Sequence, residues 1–366
     1  MNKVLFVATV TNHIISFHIP YLKWFKEQGY EVHVASNGEE NIEYCDKHYN
    51  LLFERFPLKK DNVKVYKELK KIINSNDYQI IHCHTPVGGV ITRLAARNAR
   101  KKGTRVIYTA HGFHFYKGAP LLNWIIYYPI EKIMANYTDC LITINQEDYE
   151  IAKKKLKIKQ IELVNGVGVD ESKFNFEMMQ EEKSKIRESF GLKDDDFVLI
   201  QVGELNKNKN QIMAIEAMRS LVKEKKNIHL LLVGEGVLEN LYKEKIDEYN
   251  LQYNVHMLGY RKDVPNLMKI SNSLLSLSYR EGVPVNVIEA MMSGLPIIAT
   301  DCRGNRDIAN KVIEIDDVNG LCNEIKRCIE NDKIYMCKKS EEYKIENVLK
   351  NMKEIYNNEK QTKKYC

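Results

Sequence analysis

The sequence predicts an α/β protein with two doubly wound, Rossmann-like domains, and three observations support this class. Short apolar segments alternate with helical patterns along the chain, which is the order that βαβ units of parallel sheets produce. At 366 residues, the chain is longer than a single hydrophobic core usually grows. Its composition, 44% hydrophobic and 28% charged, supplies enough apolar material for two cores. We expect an N-terminal domain over 1–175 and a C-terminal domain over 185–339.

The predicted elements follow one another in the same manner in both halves. In the first half, short apolar runs predict strands and 3.6-residue periodicity predicts helices: strands at 4–10, 31–35, 80–82, 105–109 and 140–144, and helices near 15–28, 63–74, 89–101, 123–135 and 146–155. The second half gives strands at 197–202, 228–233, 255–258, 273–277, 297–299 and 312–315, and helices near 210–225, 237–248, 264–269, 285–293 and 318–330. A polar, charged joint over 174–196 separates the halves.

Charge and cysteine content indicate which partners and which cellular compartment the protein is expected to have. The net charge is +6, and residues 1–170 hold 24 Lys+Arg against 17 Asp+Glu, whereas the remainder holds 31 against 32. The first domain is therefore the one expected to meet an anionic surface or substrate. The eight cysteines form no C-x-x-C pair, which favours reduced thiols and a cytoplasmic protein. The apolar start lacks a cleavage pattern and no apolar run reaches the roughly eighteen residues that span a bilayer.

The segment from Glu281 to Glu289, EGVPVNVIE, is the most informative motif. A buried strand precedes it, Pro284 opens a helix, and Gly294 closes that helix before another strand. Glu281 is therefore expected in the loop and Glu289 on the second helical turn. Free backbone N–H groups at a helix start can bind a phosphate, and the two acids can accept hydrogen bonds from sugar hydroxyls. The alternative is a buried amphipathic helix with one solvated acid.

Residues 279–300 resemble the signature of the GT4 family of retaining glycosyltransferases, which has two glutamates separated by seven residues and a small-Gly-x-Pro turn. The resemblance implies the GT-B fold, in which two such domains face a central cleft and the C-terminal helix, here within 340–366, returns to the first domain. It also implies that Glu289 binds the ribose and Glu281 the donor sugar, while amides near Gly282 and Val283 stabilise the diphosphate. The stretch 84–154 is similar to enzymes of capsule and exopolysaccharide assembly.

A second donor-binding segment follows the strand at 197–202. Gly203 allows close backbone approach, and Lys207 or Lys209 is placed to meet a diphosphate. The family usually has an arginine where this chain has Glu204, so Lys209 is predicted to be the main phosphate cation, with Lys207 or Arg280 as substitutes. The alternative is a loop of exposed lysines. The resemblance also places the nucleotide base near Gly234 and Arg261.

Histidines and polar residues follow the strands of the first domain. His111, before Gly112, resembles the family histidine that lies near the donor sugar and its phosphate, and a satisfied loop histidine is the alternative. The resemblance also implies that Asn12 and His13, in the loop after the first strand, contact the acceptor. His82, His84, His111 and His114 raise the alternative of a zinc site, but no carboxylate or cysteine stands at ligand spacing on a supporting helix. The resemblance implies a metal-independent enzyme without a cofactor.

Two segments of the first domain suggest contact with an anionic membrane. Residues 92–102 form a basic helical pattern, and residues 118–130 are uncharged and rich in aromatic side chains. The alternative is a solvated basic face beside ordinary core aromatics. The tail at 359–366 is predicted to be frayed or to face the membrane. Nucleic-acid binding is disfavoured, because the charge is modest and aromatic residues do not interleave with basic ones.

The resemblance implies the transfer of a sugar, with retention, from a UDP-sugar to a hydroxyl of a lipid-linked glycan at the inner face of the plasma membrane. Similarity of the loop at 283–286 to that of family members which use an N-acetylhexosamine implies that sugar as the donor. Two alternatives stay open: a UDP-sugar 2-epimerase of the same fold, which needs further acid–base carboxylates, and a non-catalytic protein that binds nucleotide-sugars.

Overall fold

The computed structural model describes residues 1–54, 59–337 and 340–357, and the chain divides into two compact units. Unit 1 comprises Met1–Val167 together with Val348–Cys366, and unit 2 comprises Gly168–Asn347. Each unit has its own parallel sheet, and helices connect most of the successive strands. The predicted alternation of strands and helices is therefore present in both halves.

Unit 1 contains a seven-stranded parallel sheet in the order β3-β2-β1-β4-β5-β6-β7. Its strands are β1 (Lys3–Val10), β2 (Glu31–Asn37), β3 (Lys47–Asn50), β4 (Tyr78–His84), β5 (Arg105–Ala110), β6 (Cys140–Thr143) and β7 (Gln160–Leu163). Its helices are α1 (Thr11–Phe17), α2 (Ile19–Glu27), α3 (Asp61–Asn74), α4 (Pro86–Ala95), α5 (Arg97–Lys101), α6 (Leu121–Met134) and α7 (Gln146–Lys155). The strand order reverses between β1 and β4, and ligands of such sheets bind at this point.

Unit 2 contains a six-stranded parallel sheet in the order β10-β9-β8-β11-β12-β13. Its helix α8 (Gln180–Ser189) precedes the strands β8 (Phe197–Val202), β9 (Ile228–Val233), β10 (Val255–Gly259), β11 (Ser273–Ser276), β12 (Ile297–Thr300) and β13 (Val312–Ile313). The remaining helices are α9 (Gln211–Glu224), α10 (Glu239–Glu248), α11 (Val264–Ile270), α12 (Val285–Met292), α13 (Asn305–Ile308) and α14 (Val318–Glu330). Here the order reverses between β8 and β11.

The last helix, α15 (Ile345–Asn357), belongs mainly to unit 1. The Tyr356 ring stacks on Trp24 at 5.6 Å, and its hydroxyl lies 2.8 Å from Nδ1 of His82. The Arg105 guanidinium donates to the carbonyl of Ile355 at 2.6 Å. These contacts confirm that the C-terminal helix returns to the first domain. The predicted membrane-facing tail at 359–366 lies outside the described residues.

The structure differs from the predicted elements where local sequence carries little hydrophobic pattern. The edge strands β3 and β7 were not predicted, because an edge strand is only partly covered and reads as polar. The predicted helix at 15–28 instead begins at Thr11 and breaks at His18. Pro20 lacks the N–H that would continue a single helix, so a second helix starts at Ile19.

Candidate functional site

Two loops of unit 2 meet where its strand order reverses. One follows β8 and the other follows β11, and they are joined by main-chain and side-chain hydrogen bonds. The Tyr279 amide donates to the carbonyl of Asn208 at 2.9 Å, and the Asn208 side chain donates to the carbonyl of Arg280 at 3.1 Å. The two predicted donor-binding segments therefore form a single site at the carboxyl edge of the sheet.

Lys209 and Glu281 form the charged centre of this site. The ammonium of Lys209 lies 2.6 Å from Oε1 of Glu281, although the two residues are 72 positions apart. The Ser278 hydroxyl donates to the same carboxylate oxygen at 2.6 Å. The Lys209 side chain is 23% exposed and that of Glu281 is 12% exposed, so this ion pair is largely shielded from water. The arrangement presents one cation and one acceptor group together to a ligand.

Arg303 and Gly304 position the Glu281 loop, and sequence reasoning missed both. The Arg303 guanidinium donates to the carbonyl of Glu281 at 3.0 Å. Gly304 has φ of +83°, and a Cβ at this position would lie 2.4 Å from the carbonyl oxygen of Gly282. Only glycine allows this close approach without a shift of the loop. The sequence carried no signal for these roles beyond a glycine after a strand.

Glu289 lies on the second turn of α12, as predicted. Partial burial raises the pKa of its carboxyl group to about 7, and nearby Lys173 opposes this rise. Within the described part of the chain, its carboxylate has no hydrogen-bond or ion-pair partner. The Asn286 side chain donates to the carbonyl of Val202 at 2.8 Å, which fixes the start of α12 beside the end of β8. Pro284 is the N-cap rather than the first helical residue, and Gly282 and Val283 precede it.

Two strand-end glycines, Gly203 and Gly234, pack directly against each other. A Cβ at Gly234 would lie 2.1 Å from the carbonyl oxygen of Gly203, so this contact between the two backbones requires glycine at position 234. Glu204 and Lys207 are exposed, and Glu204 accepts a hydrogen bond from Asn206 at 3.0 Å. The Arg261 guanidinium forms two hydrogen bonds with Asp263, at 2.8 and 2.7 Å.

In unit 1, four histidines meet where the strand order reverses between β1 and β4. Nε2 of His111 lies 3.2 Å from Nε2 of His13 and 3.4 Å from Nδ1 of His84. The ring of His18 stacks on that of His84 with centroids 3.8 Å apart. We call this group the histidine cluster, and it consists of His13, His18, His84 and His111. Asn12, the other predicted acceptor contact, is exposed on α1.

The histidine cluster differs from the four histidines that the sequence suggested. Both ring nitrogens of His82 already have hydrogen-bond partners. The Tyr356 hydroxyl is at its Nδ1, and the Thr109 hydroxyl lies 2.8 Å from its Nε2. His114 stacks on Tyr127 at 4.4 Å. Burial lowers the pKa of His13 to about 4, and burial together with neighbouring histidines lowers the pKa of His111 well below its ordinary value. Both imidazoles are therefore neutral at pH 7.

A cavity of about 390 Å³ lies beside the cluster in unit 1. His13 contributes to its wall, and most of the other lining side chains are apolar or aromatic, including Val87, Phe113, Tyr127 and Ile130. Such cavities, apolar with a few polar groups, are typical of small-molecule sites.

One residue of the basic helical pattern predicted at 92–102 is not on the surface of unit 1. Arg93 is buried, where it pairs with Glu131 of α6 at 2.8 Å and lies 3.9 Å from the centre of the Tyr108 ring. Arg97, Lys101 and Lys102 are exposed as predicted. On α6, aliphatic rather than aromatic side chains point outward: the exposed ones are Leu121, Leu122, Ile125, Ile126 and Ile133. Among the described residues, no helix is long and apolar enough to cross a bilayer.

Comparisons with known proteins agree with this architecture. Residues 182–347 match the family model of glycosyl transferases group 1, and residues 3–145 match the glycosyl transferase 4-like model. The chain is similar to the putative glycosyltransferase EpsD of Bacillus subtilis, with 45% identity over 307 residues that cover 84% of this chain and 80% of EpsD.

A second relative is the UDP-Gal:alpha-D-GlcNAc-diphosphoundecaprenol alpha-1,3-galactosyltransferase of Escherichia coli. It is 30% identical over 289 residues, which cover 75% of this chain and 73% of that protein. Among solved structures, Anabaena Alr3699/HepE in complex with UDP and glucose superposes with a TM-score of 0.78 at 17% identity, covering 98% of this chain and 100% of HepE. The predicted GT-B fold is confirmed, and the chain belongs to the group 1, GT4-type family of glycosyltransferases.

Proposed function

We propose that this glycosyltransferase moves a sugar from a UDP-sugar to a hydroxyl of a lipid-linked glycan, with retention of anomeric configuration, in the assembly of a bacterial capsule or exopolysaccharide. The observation that carries the proposal is the Lys209–Glu281 pair beside the start of α12, where the strand order of unit 2 reverses. The E. coli relative is named for a UDP-galactose donor and a diphosphoundecaprenol-linked acceptor, which supports both substrate classes.

The donor is held by groups with complementary chemistry. Lys209 attracts the diphosphate, and the amides beside Gly282 and Val283 at the start of α12 donate to its oxygens. Gly203 and Gly234 let the backbone approach the nucleotide. Ionised Glu289 accepts hydrogen bonds from the ribose hydroxyls, while Glu281 accepts them from the donor sugar.

The transfer step needs no strongly basic protein group. The acceptor oxygen forms a bond to the anomeric carbon on the face from which the diphosphate departs, and the bond from that carbon to the phosphate oxygen breaks. The acceptor proton passes to the departing phosphate oxygen. Lys209 stabilises the negative charge that grows on the diphosphate, and this stabilisation is stronger in the transition state than in the bound donor.

Unit 1 supplies the acceptor side of the proposed reaction. The cavity beside His13 takes the acceptor glycan, and the neutral imidazole of His111 donates a hydrogen bond from Nδ1 to a sugar oxygen. The exposed aliphatic side chains of α6 enter the headgroup boundary of the membrane, where the lipid-linked acceptor resides. Exposed basic residues at Arg97, Lys101 and Lys102 add attraction to anionic lipids.

The decisive experiment supplies purified protein with UDP-sugars and a short polyprenyl-diphosphate-linked glycan, then measures UDP release and the anomeric configuration of the product by NMR. We expect acceptor-dependent UDP release and a retained α-linkage. Lys209→Ala should reduce kcat/KM by about 100-fold or more, because the diphosphate loses its cation. The exposed Lys226→Ala is the matched control and should leave kcat/KM unchanged.

The same assay separates the two alternatives. Conversion of the UDP-sugar to its epimer without an acceptor would identify an epimerase instead. Binding of UDP-sugars with no turnover against any lipid-linked glycan, and with unchanged biological output of Glu281→Gln in cells, would identify a non-catalytic binding protein. A product with inverted anomeric configuration would contradict the proposed retaining mechanism.

A further inference from the structure

The histidine cluster contains buried nitrogen atoms that the protein leaves without partners. Within the described residues, both ring nitrogens of His18 and Nε2 of His84 are buried and lack a hydrogen bond. His18 is 2% exposed and His84 is fully buried. Each unsatisfied buried nitrogen costs about 1–3 kcal/mol in general, so native structures rarely keep several of them at one place.

Two other buried histidines in the sheet of unit 1, His82 and His33, have hydrogen-bond partners on both ring nitrogens. His82, adjacent to His84, has Tyr356 and Thr109 on its two nitrogens. His33 has the Tyr78 hydroxyl at 2.6 Å and the Glu31 carboxylate at 2.7 Å. The missing partners are therefore particular to the cluster rather than general for histidines of unit 1.

Hydrogen bonds among the four imidazoles do not remove this deficit. Nε2 of His111 is close to both His13 and His84. In a neutral imidazole, a single nitrogen carries either one proton or one lone pair, so Nε2 makes one linear hydrogen bond and not two. A cation placed among the rings accepts one lone pair from each of the four residues, and so gives one of the two unpaired nitrogens of His18 a partner. With His84 bound through Nδ1, its Nε2 and the second nitrogen of His18 carry the ring protons instead.

The distances fit a tetrahedral zinc site. Zinc binds histidine nitrogen at about 2.0–2.1 Å, so two nitrogens of a tetrahedral site are about 3.3–3.4 Å apart. The two contacts of His111, at 3.2 and 3.4 Å, match this spacing. One nitrogen from each residue lies within 4.8 Å of the other three, so binding an ion requires the remaining rings to turn inward.

We propose that the histidine cluster binds one Zn²⁺ ion through one nitrogen of each of its four imidazoles. Imidazole is a ligand well suited to zinc, and four protein ligands leave no open position, as in structural rather than catalytic zinc sites. The ion connects α1, the bend before α2, the end of β4 and the loop after β5. It therefore fixes the carboxyl edge of the unit 1 sheet beside the cavity.

The protonation state of the cluster agrees with metal binding. Burial is the main cause that lowers the pKa of all four histidines, to about 4 for His13 and well below the ordinary value for the others. Neutral imidazole is the form that binds a metal, so no proton has to be displaced at pH 7. The ion occupies Nε2 of His111 and leaves its Nδ1 for the role proposed above. Zinc content can be measured without the transfer reaction, so the two proposals can fail separately.

The test measures metal content in the full chain prepared without a histidine tag. The protein is stripped with a chelator, reloaded with Zn²⁺, passed through gel filtration and analysed by mass spectrometry for metal. We expect about one zinc per chain and a higher melting temperature of the loaded protein. His18→Gln and His84→Asn should each weaken zinc binding by more than the roughly 10–100-fold that loss of an outer-shell partner costs.

His48→Gln is the matched control, because His48 belongs to unit 1 but lies outside the cluster. Its Nε2 is 3.0 Å from the Ser36 hydroxyl. It should bind zinc as the parent chain does. A parent chain that retains no zinc, or cluster variants that retain as much as the control, would overturn the proposal.

Cobalt provides a second readout that does not depend on the variants folding. Co²⁺ in a four-coordinate tetrahedral site absorbs strongly in the visible region, whereas octahedral Co²⁺ absorbs weakly. Strong bands in the parent chain that zinc displaces support the site. Weak bands, or bands that persist with excess zinc, contradict it even if every cluster variant fails to fold. Because these readouts are metal content and absorption, failure of the transfer reaction leaves them unaffected.

Discussion

Glu289 is the residue whose chemistry changes within the physiological pH range. Its raised pKa, about 7, leaves the carboxyl partly protonated at neutral pH, and only the ionised form accepts hydrogen bonds from both ribose hydroxyls. We therefore expect UDP affinity to increase as pH rises through about 7. Glu289→Gln should bind UDP more weakly at high pH and show a flat profile, measured by calorimetry between about pH 5.5 and 8.5. Exposed Glu244→Gln is the control and should keep the parent profile.

The stability of the folded protein should fall as pH rises, whereas UDP affinity should increase. Because the folded-state pKa of Glu289 is raised above its ordinary value of 4.5, the folded protein binds the proton more tightly than the unfolded chain does. The free energy of unfolding therefore falls as pH rises from about 4.5 to 7. Glu289→Gln has no carboxyl group to ionise, so at pH 8 it should be more stable than the parent chain by up to about 3 kcal/mol. Equal denaturant midpoints for variant and parent chain at pH 8 would show that the pKa is not raised.

At the scale of elements, Gly304 and Gly294 both have positive φ, but only Gly304 contacts the donor-site loop. Gly304 precedes α13 with φ of +83°, and Gly294 follows α12 with φ of +70°. Alanine at either position costs roughly 1–2 kcal/mol, because both need the left-handed region. Only Gly304→Ala also drives a Cβ into the carbonyl of Gly282, whereas the space beside Gly294 is open.

We therefore expect both variants to lose melting temperature, with the larger loss in Gly304→Ala because of its added clash, and only Gly304→Ala to lose activity. Gly304→Ala should lower kcat/KM about 10-fold or more by shifting the Glu281 loop, and Gly294→Ala should retain it. If folded Gly304→Ala, assayed below its melting temperature, keeps the kcat/KM of the parent chain, the contact between Gly304 and Gly282 does not position the donor site.

The outward face of α6 gives a second prediction at this scale. Leu121 is 74% exposed and Ile125 is 61% exposed, and burial of such side chains in a membrane is favourable by about 1.5–3 kcal/mol each. The double variant Leu121→Gln/Ile125→Gln should lose most binding to anionic vesicles in a sedimentation assay without losing thermal stability. Val63→Gln replaces another exposed apolar residue of unit 1, on α3, and should bind as the parent does.

At the scale of the whole molecule, the chain passes from unit 1 to unit 2 and back, and α15 completes unit 1. Tyr356 is buried against Trp24 and His82, so Tyr356→Ala creates a cavity and leaves a buried imidazole nitrogen unpaired. We expect a loss of about 3–5 kcal/mol in unit 1. Exposed Lys350→Ala on the same helix should be neutral. UDP affinity, a property assigned to unit 2, should persist in Tyr356→Ala at temperatures below the unit 1 transition.

The sequence was sufficient for features that arise from nearby residues. Central strands such as β1 and β8 are covered on both faces, so they read as apolar runs, and the helix that starts after Pro284 carries its own boundary residues. The edge strands β3 and β7 of unit 1 and the break at His18 were missed, because their positions depend on what packs against them rather than on local pattern.

The sequence by itself determined the class of fold, the family and the identity of Glu281, Glu289 and Lys209 as candidate donor ligands. Only the tertiary structure decided that Lys209 meets Glu281, that Arg303 and Gly304 hold the Glu281 loop, and that His18 rather than His82 joins His111. The physical reason is common to all of them. A parallel sheet brings together loops that are far apart in sequence at the point where its strand order reverses, and no local pattern encodes that meeting.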